Sequence, residues 1–332
     1  MPPIRGLARS GARPRAKIVC TGGLETTLGY FLHSLALATG LSERLARRQL
    51  VRRVVMLHGV GGPDLPVPGF EALLRWMQSR YRLVSLDTLL ENLASGKPAG
   101  GDVALTFDDG LRNHLRHAYP VLKRLGIPAT YFVCPGLIES GRWLWNHEAR
   151  ARLNRMDAPT RTSVANLTGA PQSAVEPIID WMKTLTPGKR QDVEQRIRDA
   201  SPDFAPTSEE SDRFDPLAWD DFAQLDPALI TIGSHTMSHP ILPTLDDASL
   251  RWELHESRAL LEARLRRTVD LFCYPNGSSD ARVRAVARRT YRAAVTTQEG
   301  HVLAGVDPIA IPRIPVSSHL PLLAWRMLRP TA

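Results

Sequence analysis

The sequence predicts an α/β fold built around a mainly parallel sheet, and three observations carry that prediction. From Arg53 onward, short apolar, β-branched runs alternate with amphipathic helical stretches, as in successive βα units. Two of those runs end in ionisable groups: Val103–Phe107 leads into Asp108-Asp109-Gly110, and Ile230–Ile232 leads into Gly233-Ser234-His235-Thr236-Met237-Ser238-His239-Pro240. Parallel α/β sheets present their chemistry in this way, at the carboxyl ends of strands. The chain is also long enough for one large decorated domain, with 332 residues, 43% of them hydrophobic and 23% charged.

The elements follow in order. Val54–Leu57 is a strand, followed by a loop over His58–Pro68. Phe70–Arg80 reads as a helix because Phe70, Leu73, Leu74 and Met77 share one face. Arg82–Leu86 is a strand, and Asp87 is placed to cap a helix over Thr88–Ala94. The strand Val103–Phe107 is followed by a helix over Ala118–Leu125, which Gly126 stops, and then by a strand over Ala129–Val133. Residues 139–218 break the rhythm. They are rich in Arg, Asp, Ser, Thr and Pro, and they read as a helical insertion between two strands. Val175–Leu185 is one of its helices, and Thr186-Pro187 opens another. After the strand Ile230–Ile232, Asp246 caps a helix reaching about Arg267, with Leu250, Leu254, Leu261 and Leu265 as its buried stripe. Val269–Tyr274 is a strand, Ala281–Tyr291 a helix and Ala293–Thr296 a strand. The expected organisation is a basic extension over 1–50, a catalytic body over 51–320 and a tail over 321–332. The segment around His319, between Pro315 and Pro321, reads as irregular.

The net charge is +8, and its distribution argues against nucleic acid as a partner. Residues 1–53 hold ten Lys/Arg and two Asp/Glu, which accounts for all of it; the remainder holds 32 of each sign. The body therefore has no excess of basic residues with which to follow a phosphate backbone. Within the extension, Ile18–Leu41 is interrupted by Glu25 and His33 and falls short of a membrane span. It also lacks a clear signal-peptide pattern. The expectation is a protein that is cytoplasmic or peripheral to the inner membrane, with two readings of residues 1–50. Either they form a basic surface helix touching anionic lipid, or they precede a start nearer Met56. Cys20, Cys134 and Cys273 form no CxxC pair, and the latter two sit in strand-like contexts as buried thiols.

Chemistry concentrates in the Asp and His motifs. Two adjacent carboxylates at a strand end repel each other unless a cation is present. One Asp and two His make a three-ligand site with room for water, as in catalytic zinc centres, and leave the second Asp free to act as a base. Gly233, Ser234 and Pro240 put the His pair on a loop, where ligation is a better use for it than core packing. Phe272-Cys273-Tyr274-Pro275-Asn276-Gly277 is, on local sequence, a plain turn after a strand. Its functional alternative is a backbone N–H aimed at a developing oxyanion.

Taken together, Thr106-Phe107-Asp108-Asp109-Gly110, His235-x₃-His239 and Tyr274-Pro275-x-Gly277 resemble the first three motifs of the polysaccharide deacetylases, the carbohydrate esterase group with the nodulation-deacetylase homology domain. Trp219-Asp220-Asp221-Phe222 and Gly126–Val133 fit the same family, and the resemblance runs from about Val54 to about Val316. It implies a distorted, TIM-like (β/α)₇ barrel that removes N-acetyl groups from a glycan. Carried over by position, Asp109, His235 and His239 hold Zn²⁺ or another divalent ion, and Asp108 takes the proton from the attacking water. The Asn276 N–H is an oxyanion donor. The motif Arg that orients the base is absent, since Phe272 and Cys273 stand there, and Asn276 stands where a Tyr is frequent. The leaving amine needs a general acid. His58, in Met56-Leu57-His58, is assigned that role over His319 and His301, on the pattern of circularly permuted members. Two other readings compete. A non-catalytic glycan-binding relative is expected to lack Asp108 or a ligand, and this chain keeps them all. A serine esterase is suggested by His58-Gly59-Val60-Gly61-Gly62, but the chain contains no Gly-x-Ser-x-Gly elbow.

Overall fold

The computed structural model describes residues 32–41, 44–45, 49 and 51–328. Cys20 and most of the basic extension lie outside them. Eight strands form one sheet in the order β7-β6-β5-β4-β3-β1-β8, with β2 pairing β3. They are β1 (Arg53–Leu57), β2 (Arg82–Leu83), β3 (Asp102–Phe107), β4 (Ala129–Val133), β5 (Ile230–Ser234), β6 (Leu271–Cys273), β7 (Ala293–Val295) and β8 (Ile314–Pro315). Every ladder is parallel. The sheet curls into an incomplete barrel, and the segment leading into β8 bridges β7 at Val295–Ile311.

Alternate side chains fall on opposite faces, as the pleat requires. Val55, Leu57, Leu105, Phe107, Tyr131 and Ile232 join one buried cluster with the surrounding helices. Val54, Ala104, Phe132, Leu271, Cys273 and Val295 join another. Helix α1 (Val67–Gln78) starts three residues before the expected Phe70, with Pro68 in its first turn. Strand β2 is shorter than expected, because α2 (Leu86–Ala94) begins early. Its cap is Ser85, which accepts from the Thr88 N–H, while the expected cap Asp87 lies in the first turn and pairs with Arg292. A single π-type turn (His114–Ala118) precedes α3 (Tyr119–Leu125), which ends on left-handed Gly126.

After α4 (Pro135–Ser140), the insertion forms α5 (Trp145–Arg155), α6 (Ala158–Thr168), α7 (Val175–Met182), α8 (Pro187–Asp199) and α9 (Ser208–Phe214). It has its own core of Trp145, Leu153, Val164, Ile178, Ile179, Met182 and Ile197. Helix α10 (Asp247–Leu265) is capped by Asp246, as the sequence indicates, and α11 (Ala281–Thr290) follows β6. The C-terminal segment differs from expectation. Residues read as an irregular tail form α12 (Leu320–Leu328), whose Leu323, Ala324 and Met327 join the main core. Arg53 donates to the Met327 carbonyl at 2.6 Å. Ahead of the barrel, His33 stacks on Trp325 with ring centroids 5.0 Å apart, and Leu37 packs on the same core.

Gly233 marks the tightest strand contact: a Cβ there would meet the Phe132 ring at 2.5 Å and the Leu271 carbonyl at 3.1 Å. Overpacking of this kind costs about 1–3 kcal/mol. Gly233→Ala should lower stability by that amount in chemical denaturation, and adding Phe132→Leu should return part of the loss.

Candidate metal centre

Asp108 and Asp109 follow β3, and His235 and His239 follow β5, on the same rim of the sheet. The local backbone is unusual. Asp109, Thr236, His239 and Asn276 all have positive φ, at 76°, 70°, 56° and 53°. Such conformations are costly for residues with a Cβ, so surrounding contacts must hold them. Gly110 (φ 65°) completes the turn after β3, where a Cβ would lie 2.9 Å from Val133.

The ligating atoms of Asp109, His235 and His239 converge within 4.8 Å of one another. Asp109 Oδ1 lies 3.5 Å from Nε2 of each histidine. His235 Nδ1 donates to the Cys273 carbonyl at 2.7 Å, which leaves Nε2 as the nitrogen that faces Asp109. One carboxylate oxygen and two imidazole nitrogens, all buried, suit zinc or a similar borderline cation. Asp108, His235 and Cys273 also lie close together. There, however, the Arg313 guanidinium binds both Asp108 oxygens at 2.7 Å and touches Cys273 Sγ at 3.2 Å. A dication in that place would face a fixed positive charge. Asp109 is therefore the carboxylate left open to a cation.

Arg313 is the functional residue that sequence reasoning missed. It sits just before β8, fully buried, and its guanidinium meets Asp108 and Cys273. Its signal was a lone charge within the apolar run Ile309-Ala310-Ile311-Pro312-Arg313-Ile314. Burial alone would raise the Asp108 carboxyl. The charge and hydrogen bonds of Arg313, followed by His235 and His58, more than reverse this and hold it at about 2. Burial likewise opposes ionisation of Asp109, but the His235 hydrogen bond and the nearby His58 and His239 keep it well below the usual carboxylate range. Burial, reinforced by the charge of His235, lowers His239 to about 3.

A cavity of about 510 Å³ opens beside the cluster, lined by His58, Asp109, Asn113, His147, Arg213 and Phe214 among others. His58 follows β1 and is exposed, and its carbonyl accepts from His114 Nε2 at 2.7 Å. His319 and His301 do not line the cavity. His301 instead bonds the Met327 carbonyl at 2.9 Å. Asn276 is exposed at the turn after β6 and is not part of the cavity wall. The insertion contributes His147, Arg213 and Phe214, which no sequence pattern singles out. The His147 ring packs on Phe214 with centroids 4.6 Å apart, and its buried Nδ1 has no hydrogen-bond partner among the described residues.

The sequence profile of the polysaccharide deacetylase family matches residues 95–294, more than half of the chain. The Bacillus subtilis protein YxkH is 35% identical over 85 residues, a match covering 24% of this chain and only 30% of YxkH. Among solved structures, the Streptococcus pyogenes deacetylase PplD, determined with acetate, is similar over 84% of this chain and 99% of its own (TM-score 0.58, 18% identity). IcaB from Ammonifex degensii is similar over 84% of this chain and 98% of its own (TM-score 0.57, 19% identity). The Bacillus cereus polysaccharide deacetylase BC0361 is similar over 83% of this chain and 69% of its own (TM-score 0.54, 17% identity). These likenesses show the curled barrel fold that the sequence resemblance implied.

The Asp108–Arg313 pair sets a pH signature. A carboxyl near 2 in the folded state, against about 3.9 unfolded, adds stability that is complete above about pH 4 and lost as pH falls through about 2. In Arg313→Met, burial acts on Asp108 without that guanidinium. The chelator-treated variant should be less stable by about 3–5 kcal/mol at neutral pH. Its stability should fall, not rise, as pH climbs above about 4. Denaturation series from pH 3 to 8 read both, and a variant that keeps the wild-type pH slope would show that Arg313 does not set the Asp108 charge.

Proposed function

Since the chain belongs to the polysaccharide deacetylase family, we propose that it hydrolyses N-acetyl groups on a glycan, with a divalent cation held by Asp109, His235 and His239. The observation that carries this reading is the convergence of those three ligating atoms beside an ionised Asp108, at the wall of a cavity that also contains His58. The cation, Zn²⁺ by its donor set with Co²⁺ or Ni²⁺ able to substitute, supplies Lewis acidity towards the acetamide carbonyl and makes a nearby water more acidic.

The chain's own groups handle the protons. Asp108 accepts one from the attacking water, and Arg313 fixes both carboxylate oxygens so that the base keeps one orientation. His58 protonates the departing amine, which is a poor leaving group until it gains a proton. The N–H of Asn276 is the proposed donor to the carbonyl oxygen as negative charge develops there. Water and the acetamide thereby become acetate and a free amine. Because Arg313 orients the base from the segment just before β8, the missing motif Arg is no longer a reason to favour a binding-only relative.

For residues 1–50 we keep peripheral contact with anionic lipid as the proposal. Leu32, Leu35, Leu41 and Leu45 are exposed, within a segment where eight Lys/Arg stand against two Asp/Glu over residues 1–50. Among the described residues, no helix is long and apolar enough to cross a membrane.

Acetate release from N-acetylated glycans should stop with a chelator and return with Zn²⁺. Asp108→Asn and His58→Ala should each lower kcat about 10²-fold or more while metal content stays at the wild-type level. Loss of metal in Asp108→Asn would move that residue into the ligand set. The full chain should co-sediment with phosphatidylserine vesicles at low salt and be released at high salt. Sedimentation that ignores lipid charge would remove the lipid proposal.

A further inference from the structure

Two metal-ligand candidates hang on one five-residue loop, His235–His239, and that loop is not self-supporting. Two of its residues, Thr236 and His239, have positive φ without being glycine. Its internal bonds are few. The His239 N–H donates to Thr236 Oγ1 at 3.0 Å, and the Thr236 N–H reaches Ser234 Oγ at 3.3 Å. The Gly136 N–H, from α4, donates to the Met237 carbonyl at 3.1 Å. Left-handed residues of this kind persist only where neighbouring structure over-determines them.

The two ends of the loop are anchored, His235 through its N–H to the Val133 carbonyl at 2.9 Å and through Nδ1 to the Cys273 carbonyl, and His239 through its carbonyl, which accepts from Trp145 Nε1 at 3.3 Å. The side-chain hold on the apex comes from one carboxylate. Glu253 lies on α10 in the middle of the helix and is only 5% exposed. Its Oε2 accepts from the Met237 N–H at 2.8 Å and from the Ser238 N–H at 3.1 Å, and its Oε1 accepts from Ser238 Oγ at 2.5 Å. These are consecutive donors at the apex of the loop, midway between the two histidines. An ionised carboxylate is an acceptor only, so it matches this set of three donors without a mismatch. Charge-assisted bonds to backbone N–H groups are also about twice as strong as neutral ones. A buried acid carries a desolvation cost that surface helix positions avoid, so a different contribution must offset it.

We propose that Glu253 is a positioning residue for the metal centre: it clamps the apex of the His235–His239 loop and so sets the separation and aim of the two imidazoles. It touches neither ligand ring and takes no part in proton transfer. The inference rests on the metal reading above, and it extends the site to α10, a helix that contributes no motif residue. Groups that orient ligands are typically worth 10–100-fold in metal affinity.

The test reads metal binding with no substrate present. Chelator-competition titration with Zn²⁺, and the Co²⁺ absorption spectrum, are measured on wild type, Glu253→Ala, Glu253→Gln and Ser238→Ala. Glu256→Ala, at an exposed site one residue cluster along the same helix, is the control. Glu253→Ala should bind Zn²⁺ about 10–100-fold more weakly, with an altered Co²⁺ spectrum. Glu253→Gln, which keeps shape and an acceptor oxygen, should recover part of the affinity. Ser238→Ala, which loses one bond, should fall between Glu253→Gln and wild type or match Glu253→Gln, and Glu256→Ala should match wild type. Should Glu253→Ala fail to fold, the other two decide: weakened affinity in both supports the clamp, and wild-type affinity in both overturns it. A folded Glu253→Ala with wild-type Zn²⁺ affinity and Co²⁺ spectrum also overturns it. A wild-type protein that binds no Zn²⁺ or Co²⁺ would instead refute the metal reading itself, so the two failures are distinguishable.

Discussion

A single buried guanidinium ties Asp108 to the closure of the barrel. Arg313 Nε donates to the Thr296 carbonyl after β7, Nη1 to Thr106 Oγ1 on β3 and to Asp108, and Nη2 to Asp108 and to Cys273 Sγ on β6. All five of its N–H donors are used. An arginine with no exposed surface is tolerable only under that condition, since one unpaired donor would leave part of the desolvation cost uncompensated. The short β8 pairs with β1 through only two registers, Val55↔Ile314 and Met56↔Pro315. So few ladder bonds give little cohesion, and the ionic contact across the interior gives the closing segment a fixed place. The orientation of Asp108 and the closure of the sheet are thus one constraint.

That coupling explains what the sequence could and could not disclose. Strands β1, β3 and β4 were legible because their apolar runs are continuous and bounded by Gly, Asp or His. The site residues Asp108, Asp109, His235 and His239 were legible because ionisable groups stood where such runs stop. Arg313 was not, because its partner lies 205 positions away and no local pattern links them. The terminal helix was missed for a simpler reason. Pro321 suggested irregularity, whereas proline is compatible with a first turn and Leu320-Pro321-Leu322-Leu323-Ala324-Trp325 is apolar enough to dock. The cap of α2 went to Ser85 and not to Asp87 because β2 stops after two residues, a boundary set by its brief pairing with β3.

The insertion shows a different limit. Its helices have a private core, so its sequence reads as a small helical unit and nothing in its periodicity points towards a site. Only its placement above the rim brings His147 and Phe214 to the cavity wall. His147 is lowered to about 4 by burial, so it is neutral at physiological pH and offers one donor and one acceptor rather than a charge. The barrel therefore brings ionised groups to the cavity, and the insertion adds an aromatic ring and a neutral imidazole along with the cation of Arg213.

Charge balance links these parts. Two carboxylates and one guanidinium leave the inner site one negative charge in excess, since burial holds His239 uncharged at neutral pH. Burial would also strip the proton from His235. The neighbouring Cys273 and the Asp109 hydrogen bond outweigh that, and its pKa lies well above the ordinary value. That shift favours the protonated ring, whose positive charge offsets the excess. In the proposed function, Asp109, His235 and His239 would hold a dication that takes over that charge, and His235 would have to give up its proton because only a neutral imidazole nitrogen can ligate. Arg313 favours the ionised form of Asp108 in either case, because its guanidinium binds both carboxylate oxygens. The adjacent carboxylates are in this way assigned different tasks by what each one faces, a guanidinium for one and two imidazoles for the other.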